Sequence, residues 1–273
     1  MIKIAVFNRR GGCGKSTLCV NLAAALFRYH KKKVLLMDCE GQNTSSEYLM
    51  RLGISEGTIP EDFHTISECL QGQCSPDDLV YNVSVKDSRK TITTDIGVIS
   101  SGEDIDDIEF DSIDAYKNIL DNISADFDYC LIDCPPQKMP TALTSISAAD
   151  YLLIPVWSEN DSSFSGYSMA VDLVNRFRDE RINETLRILG LVVTKTRLSR
   201  SSLDRYMIET SRQQFGDLLW KTMIRDAQVV NDAYMLRTPV VYLKKNSPAA
   251  HDYKALSDEF IKRVNDAEQK AGV

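Results

Sequence analysis

The segment 6–17, VFNRRGGCGKST, carries the glycines, the lysine and the hydroxyl residues of a phosphate-binding loop. In the usual loop a Gly and four further residues precede Gly-Lys-Ser/Thr, and successive backbone N–H groups cradle phosphate oxygens. Gly14, Lys15 and Ser16 fit that pattern, but Arg9 stands where the first Gly is expected and Arg10 follows it. The loop is therefore either a damaged phosphate site or a different design in which a basic residue has a function.

Each residue of the loop has a different expected role in binding a nucleotide. The glycines let the backbone curl so that its N–H groups point inward, and a helix starting near Lys15 adds partial positive charge. Lys15 would reach the β- and γ-phosphates, the Ser16 hydroxyl would bind Mg²⁺, and Thr17 would support the α-phosphate. The alternative is a glycine-rich turn without a ligand. The predicted nucleotide-binding residues are Gly11, Gly12, Cys13, Gly14, Lys15, Ser16 and Thr17.

Two aspartates each follow a short apolar run. VLLMD ends in Asp38, and YCLID ends in Asp133. Carboxylates at the C-terminal ends of buried parallel strands lie on the sheet edge where ligands bind. We therefore expect Asp133 to hold Mg²⁺ through water, and Asp38 to be a catalytic residue. The alternative, a carboxylate that caps the next helix, fits one of the two but not both.

Apolar runs alternate with amphipathic stretches along most of the chain. The alternation predicts an α/β fold, with one doubly wound, mostly parallel sheet flanked by helices, in a single domain over residues 1–273. Nearly continuous apolar runs are typical of strands buried on both faces. The predicted strands are 2–7, 34–37, 96–99, 129–132, 151–156 and 188–193. The predicted helices are 15–29, 112–124, 139–149, 163–178, 201–215, 226–236 and 249–269.

Composition limits the compartment and the partners. The sequence has no apolar run of about 18 residues, so it predicts no membrane-spanning helix. Its seven scattered cysteines make no disulfide framework, which favours a reducing cytoplasm. The net charge is −7, yet residues 187–254 carry 12 Lys and Arg against 6 Asp and Glu. That excess predicts a basic surface for an anionic partner; simple solvated charge is the alternative.

Several motifs in order make the resemblance specific. RRGGCGKST, MDCEGQN, LIDCPP, LLIPV and LGLVVTKTR, followed by TPVVYLKKNSPAAHDYKALSDEF, resemble the ParA/MinD family of deviant P-loop ATPases over nearly the whole chain. DCEGQN is closer to the ParA form of the second motif than to the MinD form. The resemblance implies a P-loop NTPase fold, ATP and Mg²⁺ as ligands, and a homodimer that forms on ATP binding.

The resemblance gives Arg10 and Glu40 candidate roles. In the family a signature lysine stands at the position of Arg10 and crosses the dimer interface to the partner's phosphates. Arginine can supply the same charge through a planar fork of donors, although a solvated arginine is the alternative. The family has Asp at the position of Glu40, where the carboxylate positions or activates the attacking water. The predicted catalytic residues are Arg10, Lys15, Asp38 and Glu40.

Three cysteines beside the site invite other interpretations. A thiol at Cys13, inside the loop, could respond to oxidation, but a small side chain that fits the loop is the favoured interpretation. Cys39 and Cys134 follow the two site aspartates and suggest comparison with iron–sulfur reductases of the wider superfamily. Those proteins place their cysteines differently, so the sequence disfavours a cluster.

ParA relatives bind DNA without sequence preference, which the resemblance extends to the basic C-terminal third. MinD relatives instead end in a basic amphipathic helix on the membrane, whereas the tail DEFIKRVNDAEQKAGV has four acidic residues against three basic ones and favours a packed last helix. In MIRDAQ, Arg225 stands one place before the position of the family's DNA-contacting arginine, which Asp226 occupies here. The DNA-binding candidates are Lys195, Arg197, Arg200, Arg205, Arg225, Lys244 and Lys245.

These features together predict a cytoplasmic, nucleoid-associated ATPase with slow, partner-stimulated hydrolysis. Non-specific DNA and a ParB-like adaptor would be its partners, partition of a plasmid or chromosome its function, and no membrane would be involved. The alternative is an ATP-dependent scaffold or regulator with little or no hydrolysis, which positions a protein assembly or serves a mobile element. The departures at Arg10 and Glu40 keep that alternative open.

Overall fold

The computed structural model describes residues 1–87, 90–136, 140–157, 161–197 and 202–272, with the backbone alone described for 161–166, 203 and 204. Within these residues seven strands form one sheet. The strands are β1 Ile2–Val6, β2 Val34–Asp38, β3 Tyr81–Asp87, β4 Lys90–Ile99, β5 Tyr129–Asp133, β6 Tyr151–Trp157 and β7 Arg187–Thr194. The helices are α1 Lys15–His30, α2 Thr44–Ser55, α3 Ile66–Leu70, α4 Ala115–Asp121, α5 Pro140–Ser147, α6 Asp161–Asp179, α7 Ser202–Phe215, α8 Gln228–Met235, α9 Val240–Leu243 and α10 Pro248–Ala271.

The sheet order is β3-β4-β2-β5-β1-β6-β7, and all neighbours are parallel except β3 and β4. β1 lies between β5 and β6, so the chain leaves it toward one side of the sheet and later returns to the other. Val6 pairs with Asp133, and Asp133 pairs with Asp38. This register brings the ends of β1, β5 and β2 to one edge, at the switch point where ligands bind in doubly wound sheets.

Side-chain alternation along the strands builds a core on each face of the sheet. In β2, Val34 and Leu36 belong to one buried cluster, while Leu35 and Met37 belong to the other. The apolar runs are continuous because helices cover both faces. Phe260 and Val264 of α10 are fully buried in the first cluster, so the last helix packs on the core as the sequence predicts. Among the described residues no helix is both long and apolar enough to cross a bilayer.

The predicted fold class is confirmed, but the sequence missed parts of the fold. β3 pairs antiparallel with β4 at the sheet edge, and β3 and the first half of β4, which the sequence missed, are more exposed and more polar than the central strands. The sequence also missed α2, whose helical pattern is interrupted by serines and a glycine. The division of the chain into a single domain stays a prediction.

Candidate functional site

The phosphate loop connects β1 to α1 at the sheet edge described above. Gly12 and Gly14 have φ of 76° and 86°, left-handed values that suit glycine because it has no Cβ. Gly14 is the N-cap of α1 and has no side chain that could accept from the first N–H groups of that helix, so these groups are open to a ligand. In the described part of the chain, no N–H of residues 11–15 donates to a backbone carbonyl. This backbone geometry is typical of an anion-binding loop.

Asn8 anchors the entrance of this loop. Its side-chain amide donates to the carbonyl of Pro155 in β6 (2.8 Å), and its Oδ1 accepts from the N–H of Arg10 (3.0 Å). The Arg10 backbone is therefore held close to the sheet, and the side chain starts from a fixed position. Arg10 is half-buried, whereas Arg9 is exposed and lines a pocket together with residues of α5 and α6.

Lys15 is 6% exposed, and its charge lowers the pKa of Asp133 and of Glu40, whereas the neighbouring Asp38 raises the pKa of both. Buried ammonium groups are stable only when anions surround them. The predicted catalytic residues Lys15, Asp38 and Glu40 therefore share one site with the loop, and the predicted metal ligands Ser16 and Asp133 lie beside them.

Asp38 is the aspartate that caps a helix. Its carboxylate accepts from the N–H groups of Ser45 (2.9 Å) and Ser46 (2.8 Å) in the first turn of α2, and from the Ser46 hydroxyl (3.0 Å). It also accepts from the N–H of Glu40 (3.2 Å). Burial raises its pKa although these bonds favour the charged form. Asp38 thus fixes the segment that carries Glu40, and a direct catalytic role for it stays a prediction.

Asp133 has the opposite environment. It is fully buried, and neither carboxylate oxygen accepts a hydrogen bond of normal geometry from the described residues. Burial and the neighbouring charge of Asp38 raise its pKa to about 7, although the hydroxyls of Ser16 and Ser45 and the Lys15 ammonium act in the other direction. A buried unpaired carboxylate is costly unless a cation compensates it. Carboxylate and hydroxyl oxygens are ligands that Mg²⁺ accepts, so the residues present fit a magnesium ion with its waters.

Glu40 lies in the turn between β2 and α2 and is about half-buried. Burial raises the pKa of its carboxyl, Lys15 lowers it, and Asp38 and Asp106 raise it further. The turn is held by a network that the sequence did not reveal. The hydroxyl of Ser101 donates to the Glu40 carbonyl (2.8 Å), and it and the hydroxyl of Ser100 also lie 2.8 Å from Oδ1 of Asn43. The end of β4 therefore holds the loop that presents Glu40.

The cysteines near the site are buried thiols. Burial raises the pKa of Cys13, and its Sγ donates to the Arg10 carbonyl at 3.2 Å. Burial also raises the pKa of Cys39 and Cys134. A protonated, enclosed thiol is a poor nucleophile, which favours the interpretation of Cys13 as a small side chain that fits. Within the described ranges no cluster of His, Cys, Asp and Glu could hold a metal ion by itself.

A cleft of about 390 Å³ opens beside the loop. Gly14 and Thr17 form its phosphate end, Thr194 and Lys195 one wall, and Tyr234 part of the other. The wall residues come from the end of β7, the segment after it, and α8. Because the cleft begins at Thr17, where an α-phosphate would lie, it has the position and the mixed polarity of a nucleoside site.

The predicted DNA-binding residues are not one open basic surface. Nε of Arg197 donates to Asp226 (2.7 Å), and Arg225 donates from Nε and Nη2 to Asp252 (2.6 and 2.7 Å). The Lys195 ammonium contacts the phosphate loop instead of projecting away from it. The remaining candidates are exposed, except for Arg200, which lies outside the described residues: they are Arg205, Lys244 and Lys245.

The raised pKa of Asp133 predicts how stability depends on pH. Between about pH 4 and pH 7 the native carboxyl keeps a proton that the unfolded chain has lost, so the free energy of unfolding falls as pH rises through this window. Asp133→Asn should make this slope shallower and raise the unfolding free energy at pH 8 by on the order of 2–4 kcal/mol. Calorimetry in EDTA at several pH values measures the effect, with the exposed Asp107→Asn as control. Equal slopes in wild type and Asp133→Asn would contradict it.

Comparisons with known proteins agree with this geometry. A family model described as an AAA domain matches residues 1–188. The chain is 28% identical over 263 residues to the sporulation initiation inhibitor protein Soj of Bacillus subtilis, covering 94% of this chain and 96% of Soj. It is 28% identical to the chromosome partitioning protein ParA of Caulobacter vibrioides (98% and 97% covered). The septum site-determining protein MinD from Pyrococcus horikoshii, complexed with Mg-ADP, has the same fold, with a TM-score of 0.73, 19% identity and 95% of each chain covered.

Proposed function

The chain belongs to the ParA/MinD family of P-loop ATPases, and from that premise we propose that it binds MgATP, dimerises on binding it and hydrolyses it slowly. The observation that carries this proposal is Asp133. A fully buried carboxylate without hydrogen-bond partners among the described residues, beside Lys15 and Ser16, fits a site completed by a cation and a polyphosphate. Such a carboxylate would be costly to keep if the loop were a glycine-rich turn without a ligand.

The nucleotide would lie across the N-terminus of α1. The N–H groups of residues 11–15 and the Lys15 ammonium would hold the phosphates, and the nucleoside would enter the cleft between Thr17 and Tyr234. Ser16, and Asp133 through water, would hold Mg²⁺. When bound, the ion supplies positive charge that neutralises phosphate oxygens.

Glu40 is the residue that would position the attacking water. Hydrogen bonds to Asp38 and Ser101 fix its backbone, so the position of the carboxylate depends on the length of the side chain. Glutamate carries the carboxylate one methylene further than the aspartate that the family has at this position. A displacement of roughly 1 Å costs on the order of a hundredfold in rate, which supports slow hydrolysis.

Arg10 would act in the partner's site. Asn8 holds its backbone at the entrance of the loop, and the guanidinium is long enough to reach away from its own phosphates. In a face-to-face homodimer the two Arg10 side chains would exchange, because such an interface uses the same patch on both copies. Each would neutralise charge on the other protomer's triphosphate.

We propose further that the ATP dimer binds DNA without sequence preference and supports plasmid or chromosome partition with a ParB-like adaptor, in the cytoplasm on the nucleoid. The relatives named Soj and ParA support this function. Since Arg197 and Arg225 are engaged by carboxylates, the best supported phosphate contacts are the exposed candidates Arg205, Lys244 and Lys245, of which the two lysines are adjacent and can be replaced together. Phosphate release with Mg²⁺ and ATP, with and without DNA and adaptor, tests this function.

Lys244→Ala/Lys245→Ala protein should bind duplex DNA more weakly, with a salt dependence reduced by about two phosphate contacts, because each lost contact releases about one counterion fewer. Gel shifts with ATP over a range of salt measure this slope. Lys90→Ala, which removes an exposed lysine at the antiparallel edge, is the matched control and should match wild type. Wild-type protein that retains no duplex at low salt would exclude the DNA function.

A second function is favoured by one set of observations. The ion pairs of Arg197 and Arg225, together with the departures at Arg10 and Glu40, are compatible with an ATP-dependent scaffold or regulator that hydrolyses little. It would position a protein assembly or serve a mobile element. ATP-dependent dimers without turnover, even with DNA and an adaptor, support this alternative over partition.

A further inference from the structure

The end of β7 contacts the phosphate loop through two side chains. The Thr194 hydroxyl donates to the Cys13 carbonyl (2.7 Å), and the Lys195 ammonium donates to the Gly12 carbonyl (2.7 Å). The two pairs are separated by 181 and 183 residues in the chain. Two successive carbonyls of the loop are therefore held by one corner of the sheet.

These two hydrogen bonds also fix the direction of two backbone donors, the N–H groups of Cys13 and Gly14. In a trans peptide the C=O of one residue and the N–H of the next point to opposite sides of the bond. Because the Gly12 carbonyl points toward Lys195, the Cys13 N–H points away from Lys195. Because the Cys13 carbonyl points toward Thr194, the Gly14 N–H points away from Thr194. Successive N–H groups on one side of a turn form a concave anion site.

The corner that supplies these side chains is itself fixed. Thr194 is 4% exposed, and Lys195 has a φ of 54°, which aims its side chain out of the strand direction. The Lys195 ammonium lies 5.5 Å from the centre of the Trp157 ring. The next residue, Thr196, donates its N–H to the carbonyl of Ile224 (3.0 Å) at the wall of the nucleoside cleft. Residues 194–196 therefore connect the phosphate loop to the wall of the nucleoside cleft.

We propose that Thr194 and Lys195 are positioning residues that hold the loop N–H groups of Cys13 and Gly14 in the orientation that binds polyphosphate. This proposal rests on the proposed function, since it assumes that the loop binds a triphosphate. Lys195 also adds positive charge next to the loop. This proposal assigns Lys195 to the nucleotide site, and the experiment below also tests whether Lys195 contacts DNA instead.

Lys195→Met and Thr194→Val should each weaken binding of tripolyphosphate and of ATP about tenfold, because each releases one carbonyl and lets the following N–H turn. Lys195→Arg and Thr194→Ser keep a donor and should stay within about threefold of wild type. Isothermal titration with tripolyphosphate isolates the phosphate part of the ligand. Amide NMR signals of Cys13 and Gly14 should shift in the first two variants, and the ligand-free melting temperature of Lys195→Met, whose lysine is only partly buried, should stay close to that of wild type.

The possible results distinguish a failure of the positioning role from a failure of the proposed ATP binding. Wild-type protein that binds neither probe means that the proposed function has failed. Wild-type binding together with unchanged affinity in Lys195→Met and Thr194→Val overturns the positioning role alone. Loss of DNA retention in Lys195→Met without loss of tripolyphosphate affinity also overturns it and assigns the lysine to DNA. If Thr194→Val does not fold, Lys195→Met with Lys195→Arg decides.

Discussion

Arg10→Ala protein should bind ATP with little loss of affinity but hydrolyse it roughly 10³-fold more slowly than wild type, because an arginine supplied in trans contributes that much to phosphoryl transfer. Its own pocket keeps Lys15, Ser16 and Asp133, so binding within one protomer should persist. Arg10→Lys restores the residue that the family has at this position and should retain dimer formation. Single-turnover phosphate release is the measurement, because it separates hydrolysis from product release.

A mixing experiment decides whether Arg10 acts in the partner's pocket. Arg10→Ala protein has an intact Glu40, while Glu40→Gln protein has an intact Arg10. In a 1:1 mixture a mixed dimer has one complete pocket, in which Glu40 and Arg10 come from different protomers, so the activity should rise well above the sum of the two separate variants. Activity that stays at the sum of the separate variants would show that Arg10 acts within its own protomer or not at all.

Glu40→Gln should lower turnover by about a hundredfold, because it removes the carboxylate that positions the water and leaves a side chain of the same length. Glu40→Asp should raise turnover, by up to about a hundredfold, if the extra methylene is what displaces the carboxylate. The ATP affinity should change little in either variant. Burial raises the pKa of Glu40, so wild-type turnover should decline toward acidic pH as the carboxylate is protonated.

Asp106→Asn is the matched control for Glu40. Asp106 also contributes negative charge to the turn but lies on the exposed surface of the acidic segment 103–114. Its replacement should shift the pH dependence of turnover to lower pH without changing the plateau rate. Equal turnover in Glu40→Gln and wild type, with and without adaptor, would remove Glu40 from the mechanism and favour the scaffold function.

The sequence predicted the elements whose residues are buried on both faces of the sheet. The central strands are buried on both faces, so their residues are continuously apolar and their bounds could be found within about two residues. The phosphate loop has a local signature, since Gly12 and Gly14 meet a local backbone requirement. The edge strand β3, the first half of β4 and helix α2 have mixed polarity, so their hydrophobic pattern did not mark them in the sequence.

The distinction between the two aspartates could not be read from the sequence. Asp38 and Asp133 each end an apolar strand, but only the fold brings Ser45 and Ser46 onto Asp38 and leaves Asp133 without a partner among the described residues. The family resemblance and the basic charge of the segment together placed Lys195 with the DNA-binding candidates, because in the sequence a lysine shows only its charge. Its contact with Gly12 depends on the register of β7 at the far side of β1.

The central claim is that two copies of this chain grip ATP together. Light scattering coupled to size exclusion, with Mg²⁺ and a non-hydrolysable ATP analogue at saturation, measures it directly. We predict twice the monomer mass with the analogue, the monomer mass with ADP or without nucleotide, and the monomer mass for Arg10→Ala under all three conditions. Wild-type protein that binds the analogue and still elutes at the monomer mass would contradict the account.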